Sequence, residues 1–380
     1  MILRSKLPNV GTTIFTVMSQ MAQEYNAINL AQGFPNFSPS AELLDAATNA
    51  MQRGLNQYAP MAGYIPLRER IAEKIEYCYG RRVNPDTEIT VTPGGTAALF
   101  AAMMATVHAG DEVIVVEPCY DSYLPTLELC GASVKRVPMQ FPDYTIDWDA
   151  VQSVISPKTK MIVLNTPHNP TGSILRKADM ERLTTIVHGS DIIILSDEVY
   201  EHITFNGEQH ESVLRYPELA ERSFVVSSFG KTFHVTGWKT GYCVAPPELT
   251  SEFRKVYQFM NFASFTPAQA AFAEILADRT HYEALSQFYQ LKRDYFRKQM
   301  EGSRFEMLPS HGSYFQLARY SAISDMKDSD FAVWLTQTHG VAVIPVSAFY
   351  ADGTDNHVIR FCFAKTEETL ERAAEALRKV

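Results

Sequence analysis

RSFVVSSFGKTFHVTGWKTGYCVA, residues 222–245, reads as strand, turn, strand: two short β-rich runs enclose a segment with two lysines, Lys231 and Lys239, among glycines and hydroxyl side chains. Gly230-Lys231-Thr232 is the ending of a nucleotide-binding P-loop, but that motif needs a glycine five positions before Gly230, where the backbone wraps the phosphates. Position 225 is Val225. The nucleotide reading loses its physical basis, and Lys231 needs another explanation.

Working outward, the runs EITVT, DEVIVV, SVKRVP, KMIVLN and DIIILS come before RSFVVSS and GYCVA. TAALFAAMMATVH and LRKADMERLTTIVHG between them carry apolar residues at helical spacing. Nearly continuous apolar strands alternating with helices predict an α/β architecture with a mostly parallel, seven-stranded sheet covered on both faces. From about residue 280 the pattern changes. It becomes a long charged helix over HYEALSQFYQLKRDYFRKQM, a strand near YFQLA, a helix near DSDFAVWLTQTHG, strands VAVIPV and HVIRFCF, and a closing helix TEETLERAAEALRKV. This predicts a smaller α+β domain over 279–380, joined by an N-terminal segment 1–40, beside a large domain over 41–278.

Composition narrows the partners. The 380 residues carry a formal charge of -9, so nothing favours a nucleic-acid backbone or an anionic membrane, both of which select clustered Lys and Arg. Apolar runs such as DIIILS are too short to span a bilayer, and the N-terminus has no signal-peptide pattern. Cys78, Cys119, Cys130, Cys243 and Cys362 are scattered and form no CxxC pair, which suits reduced thiols in a cytoplasmic protein. A small-molecule substrate is expected.

In an open α/β sheet, ligands bind outside the carboxyl ends of the strands. After EITVT comes PGGTAAL, where Gly94 and Gly95 admit close backbone approach and a helix start offers free N–H groups to an anion. The plainer reading is a glycine turn. After DEVIVV comes EPCYDSY, where Tyr120 either faces a flat ring or packs in the core. After KMIVLN comes TPHNPTG, in which Asn169 supplies an amide or simply forms a turn with Pro170. After DIIILS comes Asp197, whose burial demands a cation or hydrogen bonds unless it caps the next helical turn. Asp197, Glu198 and His202 have no cysteine or second histidine at ligand spacing, and no metal is expected. After RSFVVSS comes Lys231, flanked by Phe229, Phe233 and Trp238, where a desolvated amine can form a Schiff base. Together these strand ends fit pyridoxal phosphate, which needs an amine, a carboxylate for its ring nitrogen, donors for its phenolic oxygen and an anion site.

NLAQGFPNF, NQYAP, TPGGTAAL, EPCYDSY, NTPHNPTG, SDEVYEHI, SSFGKTFHVTGWKTGY and IRFCFAK lie along essentially the whole chain in one order. In these the sequence resembles the class I and II aminotransferases, which have the pyridoxal-phosphate-dependent transferase fold of type I. The pattern is most similar to methionine aminotransferases, kynurenine aminotransferases and glutamine transaminase K. The resemblance implies Lys231 as the Schiff-base lysine and proton shuttle, Asp197 at the ring nitrogen, Asn169 and Tyr200 at the ring oxygen, and Tyr120 stacked on the ring. It implies Gly95, Thr96, Ser228 and Lys239 at the phosphate, with Tyr58 reaching that phosphate from the other subunit of a homodimer. Arg360 and Gly33 would hold the substrate carboxylate. The wider class carries arginine where this chain has Lys239, so charge is kept with less directional bonding.

The implied reaction moves an amino group from an amino acid to a 2-oxo acid by ping-pong kinetics. No motif demands an acidic substrate side chain, and Ile14 and Phe15 suit an apolar wall, so methionine or aromatic amino acids are the expected donors. The alternative is a kynurenine or glutamine–phenylpyruvate aminotransferase with cysteine-conjugate β-lyase side activity. A noncatalytic regulator on the same fold is disfavoured by the intact set of Lys231, Asp197 and Arg360.

Overall fold

The computed structural model describes residues 3–380. Seven strands, β1 (Ile89–Thr92), β2 (Glu112–Glu117), β3 (Ser133–Pro138), β4 (Thr159–Asn165), β5 (Ile193–Asp197), β6 (Ser223–Ser228) and β7 (Gly241–Val244), form one sheet in the order β1-β7-β6-β5-β4-β2-β3. β7 runs antiparallel to both neighbours, and the other pairs are parallel. The reversal of β7 has a simple cause. The connection from β6 holds only the turns Phe229–Thr232 and Thr236–Trp238, with no helix long enough to cross back over the sheet.

β5 and β6 are buried at every position because both sheet faces are covered. Alternate side chains serve different cores. Val113, Val115, Met161 and Val163 pack under helices Gly95–Thr106 and Pro247–Met260. Ile114, Val116, Ile162 and Leu164 face the opposite core, which includes Ile71, Leu183 and Phe272 and continues into the second unit. β3 lies at the edge, where Lys135 and Arg136 discourage pairing with another chain.

The second unit holds an antiparallel sheet of Ile344–Pro345, Val358–Cys362, Phe315–Arg319 and Glu306–Met307. Helices Leu285–Gln299, Asp328–His339 and Glu367–Leu377 accompany it. The charged helix expected over 281–300 is broken into Thr280–Glu283 and Leu285–Gln299. The apolar run VAVIPV, expected as one strand, changes partners at Val343. Val341–Ala342 pairs parallel with Ile28–Asn29, while Ile344–Pro345 pairs with Val358–Cys362. Apolarity in the run signals burial and carries no information on which strand is the partner.

A buried ion pair ties the first core together. Lys74 Nζ lies 2.7 Å from Glu201 Oε2 and donates to Tyr242 Oη at 2.9 Å, while Tyr242 donates to Glu201 Oε1 at 3.0 Å. Tyr79 also donates to Glu201. Burial opposes the charge on Lys74, but its partners, Glu201 first among them, together outweigh burial and the ammonium pKa ends up raised. Burial opposes the charge on Glu201 too, yet Lys74, then His202, hold that carboxyl well below the usual range. The contribution of Glu201 is therefore complete above the unfolded carboxylate pKa of about 4.3 and is lost only as pH falls through its lower folded value; that of Lys74 is complete below about 10.4. Lys74→Met should cost about 3–5 kcal/mol in urea denaturation at neutral pH, because Glu201 is left buried and unpaired. The deficit should narrow as pH falls and the stranded carboxylate takes a proton, and Lys74→Met with Glu201→Leu should recover much of it.

Candidate active site

The ladder brings the strand ends to one edge. Asn165 pairs with Asp197, Asp197 with Val226, Ser228 with Gly241, and Gly241 with Thr92. Outside that edge lies a cavity of about 330 Å³, roofed by Phe15, Gln32 and Gly33 from the N-terminal segment and by Phe315 and Arg360 from the second sheet.

One end of the cavity is built for an anion. Helix Gly95–Thr106 starts there with no side-chain cap, so its first N–H groups are free. Gly94 has φ +85°, and a Cβ on it would stand 3.1 Å from Lys239 Nζ. A Cβ on Gly95 would stand 2.9 Å from Val199 Cγ1 and one on Gly241 2.6 Å from the Ser227 carbonyl, so side chains would fill the cradle. Thr96, Ser228 and Lys239 line this end. Lys239 itself takes φ +48°, a left-handed conformation at the close of the turn Thr236–Trp238. Thr236 and Thr240, not singled out in the sequence, also line it.

Asp197 is 3 % exposed and, among the described residues, has no cation at ion-pair distance. Tyr123 donates to its Oδ2 at 2.6 Å. The Val199 N–H reaches Oδ1 at only 3.4 Å and the chain continues as a turn, so Asp197 is no helix cap. Burial pushes its pKa up to about 6, against the opposing pull of Tyr123, Val199 N–H and Lys231. Glu198 belongs to another network, accepting from Ser196 Oγ and Val213 N and meeting His210 at 2.9 Å. Asn165 anchors the neighbouring loop: its Nδ2 donates to the Asp197 carbonyl at 2.8 Å and its Oδ1 accepts from Asn169 N–H at 2.7 Å. Asn169 Oδ1 accepts from Arg360 Nη1 at 2.8 Å. Tyr120 lines the wall, its hydroxyl 3.4 Å from Thr96 Oγ1. Tyr200 is buried, and burial pushes its phenol pKa up.

Lys231 follows β6 on the turn Phe229–Thr232. Its Nζ donates to Tyr314 Oη at 2.9 Å and to the Gly33 carbonyl at 3.3 Å. Burial lowers its pKa to about 8; Lys239 and Arg360 act in the same direction, while Cys362 and Asp197 oppose it. Near neutrality the neutral amine is thus a minor form but far more abundant than for an ordinary lysine, as a nucleophile or base requires.

Arg360, on Val358–Cys362, is fully buried and lies against the Phe315 ring at 4.0 Å and the Phe15 and Phe349 rings at 5.3 Å. Nη2 donates to the Ala31 carbonyl at 2.8 Å, Nε has no hydrogen-bond partner, and no carboxylate pairs with the guanidinium among the described residues. Burial lowers its pKa to about 10. A buried cation without an anion is costly, and a bidentate carboxylate entering the cavity is the natural complement. Gly33 sits beside it, where a Cβ would come within 3.0 Å of Phe315 Cζ.

Two of the expected residues do not line the cavity of their own chain, and for Tyr58, expected at the other subunit's phosphate, that is no departure. Ile14 packs against the core and is absent from the cavity wall, because adjacent helical residues point about 100° apart and Phe15 takes the inward direction. Tyr58 is 82 % exposed, outside the cavity and edge-on to Phe262. Tyr123, Asn165 and Tyr314 were not singled out in the sequence. Tyr123 and Asn165 stood inside quoted strand-end stretches, but nothing local distinguished them from packing residues.

The whole chain has close relatives. It is 50% identical over 378 residues to methionine aminotransferase of Escherichia coli, covering 99% of this chain and 98% of that one. A solved Escherichia coli structure, described as identifying a methionine aminotransferase function, superposes with a TM-score of 0.98 at 50% identity over 100% of both chains. N-succinyldiaminopimelate aminotransferase from Mycobacterium tuberculosis superposes with a TM-score of 0.95 at 34% identity, also over 100% of both chains. The family model for aminotransferase class I and II matches residues 25–377, and the chain belongs to that family.

Proposed function

We propose that this aminotransferase works with pyridoxal phosphate in the cavity and moves the amino group of methionine or an aromatic amino acid to a 2-oxo acid. Class I and II aminotransferases generally depend on that cofactor. The observation that carries the reading is the pairing of unmet needs in one cavity: among the described residues a buried Arg360 without an anion and a buried Asp197 without a cation, with a desolvated Lys231 in the same wall.

When bound, pyridoxal phosphate supplies an aldehyde that exchanges amines and a ring that accepts the electron pair left at the substrate α-carbon. Gly95, Thr96, Ser228 and Lys239 hold the phosphate. Asp197 would pair with the ring nitrogen, whose positive charge would favour the carboxylate form. Tyr200 and Asn169 donate to the phenolic oxygen; Asn169 Oδ1 is committed to Arg360, which leaves its Nδ2 free to donate. Tyr120 covers one ring face. Arg360 and the Gly33 backbone hold the substrate carboxylate. Lys231 removes the α-proton and passes it on to a different atom, and the alternation of two such half-reactions gives ping-pong kinetics.

The donor preference rests on charge and on kinship. Lys231, Lys239 and Arg360 are the cations lining the cavity, and each has a role already, so an acidic substrate side chain finds no counter-charge among the described residues. Phe15 and Phe315 supply apolar wall. The relative at 50% identity is named for methionine, whereas the shared fold alone also serves a differently named substrate. Tyr58, Phe259 and Phe265 are exposed aromatics near one another in sequence or contact with Phe262, and they support a homodimer in which Tyr58 serves the other copy's phosphate. The division at residues 1–40, 41–278 and 279–380 belongs to the same reading, with the N-terminal segment moving with the second sheet that it pairs beside. So does cytoplasmic residence, which suits five free cysteines.

A panel of amino donors against one 2-oxo acid tests the preference: methionine and aromatic donors should lead, and a lead for aspartate would overturn it. Lys231→Ala should abolish transamination and the visible absorbance change on adding methionine; normal turnover would remove Lys231 from its role. Arg360→Ala should lower kcat/KM for amino acids by about 100-fold or more, the range for losing one partner of a buried charge pair, with cofactor occupancy retained. In cofactor-free protein, competitive labelling of Lys231 should reach half its maximum near pH 8, because burial lowers the amine pKa to about 8, whereas exposed lysines should label near their usual value of about 10.4.

A further inference from the structure

Tyr314 lies at the start of the strand Phe315–Arg319 and is fully buried. Its hydroxyl and the Gly33 carbonyl are the two oxygens that accept from Lys231, at 2.9 and 3.3 Å. Tyr314 Oη in turn donates to the Gly33 carbonyl at 2.5 Å. That bond sets the direction of the phenol: its proton is spent on Gly33, so its lone pairs face the amine. The ring cannot swing away, being packed edge-on against Tyr200 at 5.0 Å and held by Phe315 at 4.9 Å and Tyr289 at 5.7 Å. Burial, followed by Tyr200, Cys362 and Tyr289, pushes the phenol pKa well up, so the group stays neutral and keeps this donor–acceptor arrangement.

We propose that Tyr314 is a catalytic residue that, together with the Gly33 carbonyl, receives the Lys231 ammonium formed when the α-proton is taken. This rests on the reading of Lys231 as the base. In that step the α-carbon–hydrogen bond breaks, its electron pair stays on the carbon side, and the proton becomes the third N–H of Lys231. Two of the three N–H groups then have acceptors in Tyr314 Oη and Gly33 O, and the third is left to pass the proton on. The need for such a receiver is electrostatic. The charged groups around the amine are Lys239 and Arg360, which oppose a new positive charge, and Asp197, which favours it; burial opposes it most of all. Two fixed oxygen dipoles offset part of that cost without drawing a counter-ion into the cavity.

Tyr314→Phe keeps the ring and removes the oxygen. In the cofactor-loaded enzyme kcat should fall about tenfold or more, the equivalent of one hydrogen bond to a charged group, with KM for methionine little changed. The kinetic isotope effect with α-deuterated methionine should rise as proton transfer becomes more rate-limiting. In cofactor-free protein the labelling midpoint of Lys231 should move to lower pH, since the ammonium has lost an acceptor; this readout does not depend on turnover. Tyr289→Phe is the control for softened packing, because the Tyr289 hydroxyl has no hydrogen-bond partner among the described residues, and it should leave all three quantities at wild-type values. A Tyr314→Phe variant with wild-type kcat, isotope effect and labelling midpoint would overturn the proposal, as would equal changes in Tyr289→Phe. If Lys231→Ala is inactive while Tyr314→Phe behaves as wild type, Tyr314 alone was misread. If Lys231→Ala turns over normally, the reading of Lys231 as the base falls and this proposal falls with it.

Discussion

The register of the parallel ladder is the constraint on which the rest of the molecule depends. Asn165, Asp197 and Val226 stand side by side across β4, β5 and β6, and Ser228 and Gly241 continue the row one residue pair further on. Side chains alternate along a strand, so a slip of one residue would turn Asp197 to the opposite sheet face and put an apolar neighbour in its place at the cavity. The two hydrophobic clusters hold that register, since Ile162 and Leu164 belong to one core and Met161 and Val163 to the other. Packing on both faces thus decides where the polar edge lies.

That edge is not optimised for stability in isolation. Asp197 is buried with a tyrosine as its strongest partner, Arg360 is buried with a free Nε, and Lys231 is held below its ordinary pKa. Each of these would be a fault in a purely structural core. The contrast with Lys74 and Glu201 is instructive, because there a carboxylate and an ammonium are buried as a pair with their hydrogen bonds supplied by Tyr242 and Tyr79. The same chain satisfies its buried charges where they only hold helix to sheet, and leaves them incomplete where they line the cavity.

Much of the fold was legible because parallel strands covered on both faces are continuous apolar runs, and because Gly94-Gly95, Asp197 and Lys231 follow such runs directly. The misses have specific causes. VAVIPV reads as one strand because apolarity reports burial, whereas its halves pair with segments some three hundred residues before it and about a dozen after it in sequence. Ile14 and Phe15 read as one apolar wall because composition does not say which of two adjacent helical positions turns inward. Tyr314 stayed hidden because its partners, Lys231 and Gly33, come from two distant parts of the chain.

By itself the sequence determined the α/β layering, the strand ends that carry polar residues and, through the ordered stretches from NLAQGFPNF to IRFCFAK, the family. These are local properties: periodicity, turn chemistry and residue type along one stretch of chain. Only the tertiary structure decided that Arg360 has no anion among the described residues, that Asn169 spends its Oδ1 on it, and that Lys231 rests on Tyr314 and the Gly33 carbonyl. Burial, desolvation and hydrogen-bond satisfaction are sums over neighbours brought from the N-terminal segment, the large sheet and the second sheet, and no stretch of sequence contains that sum.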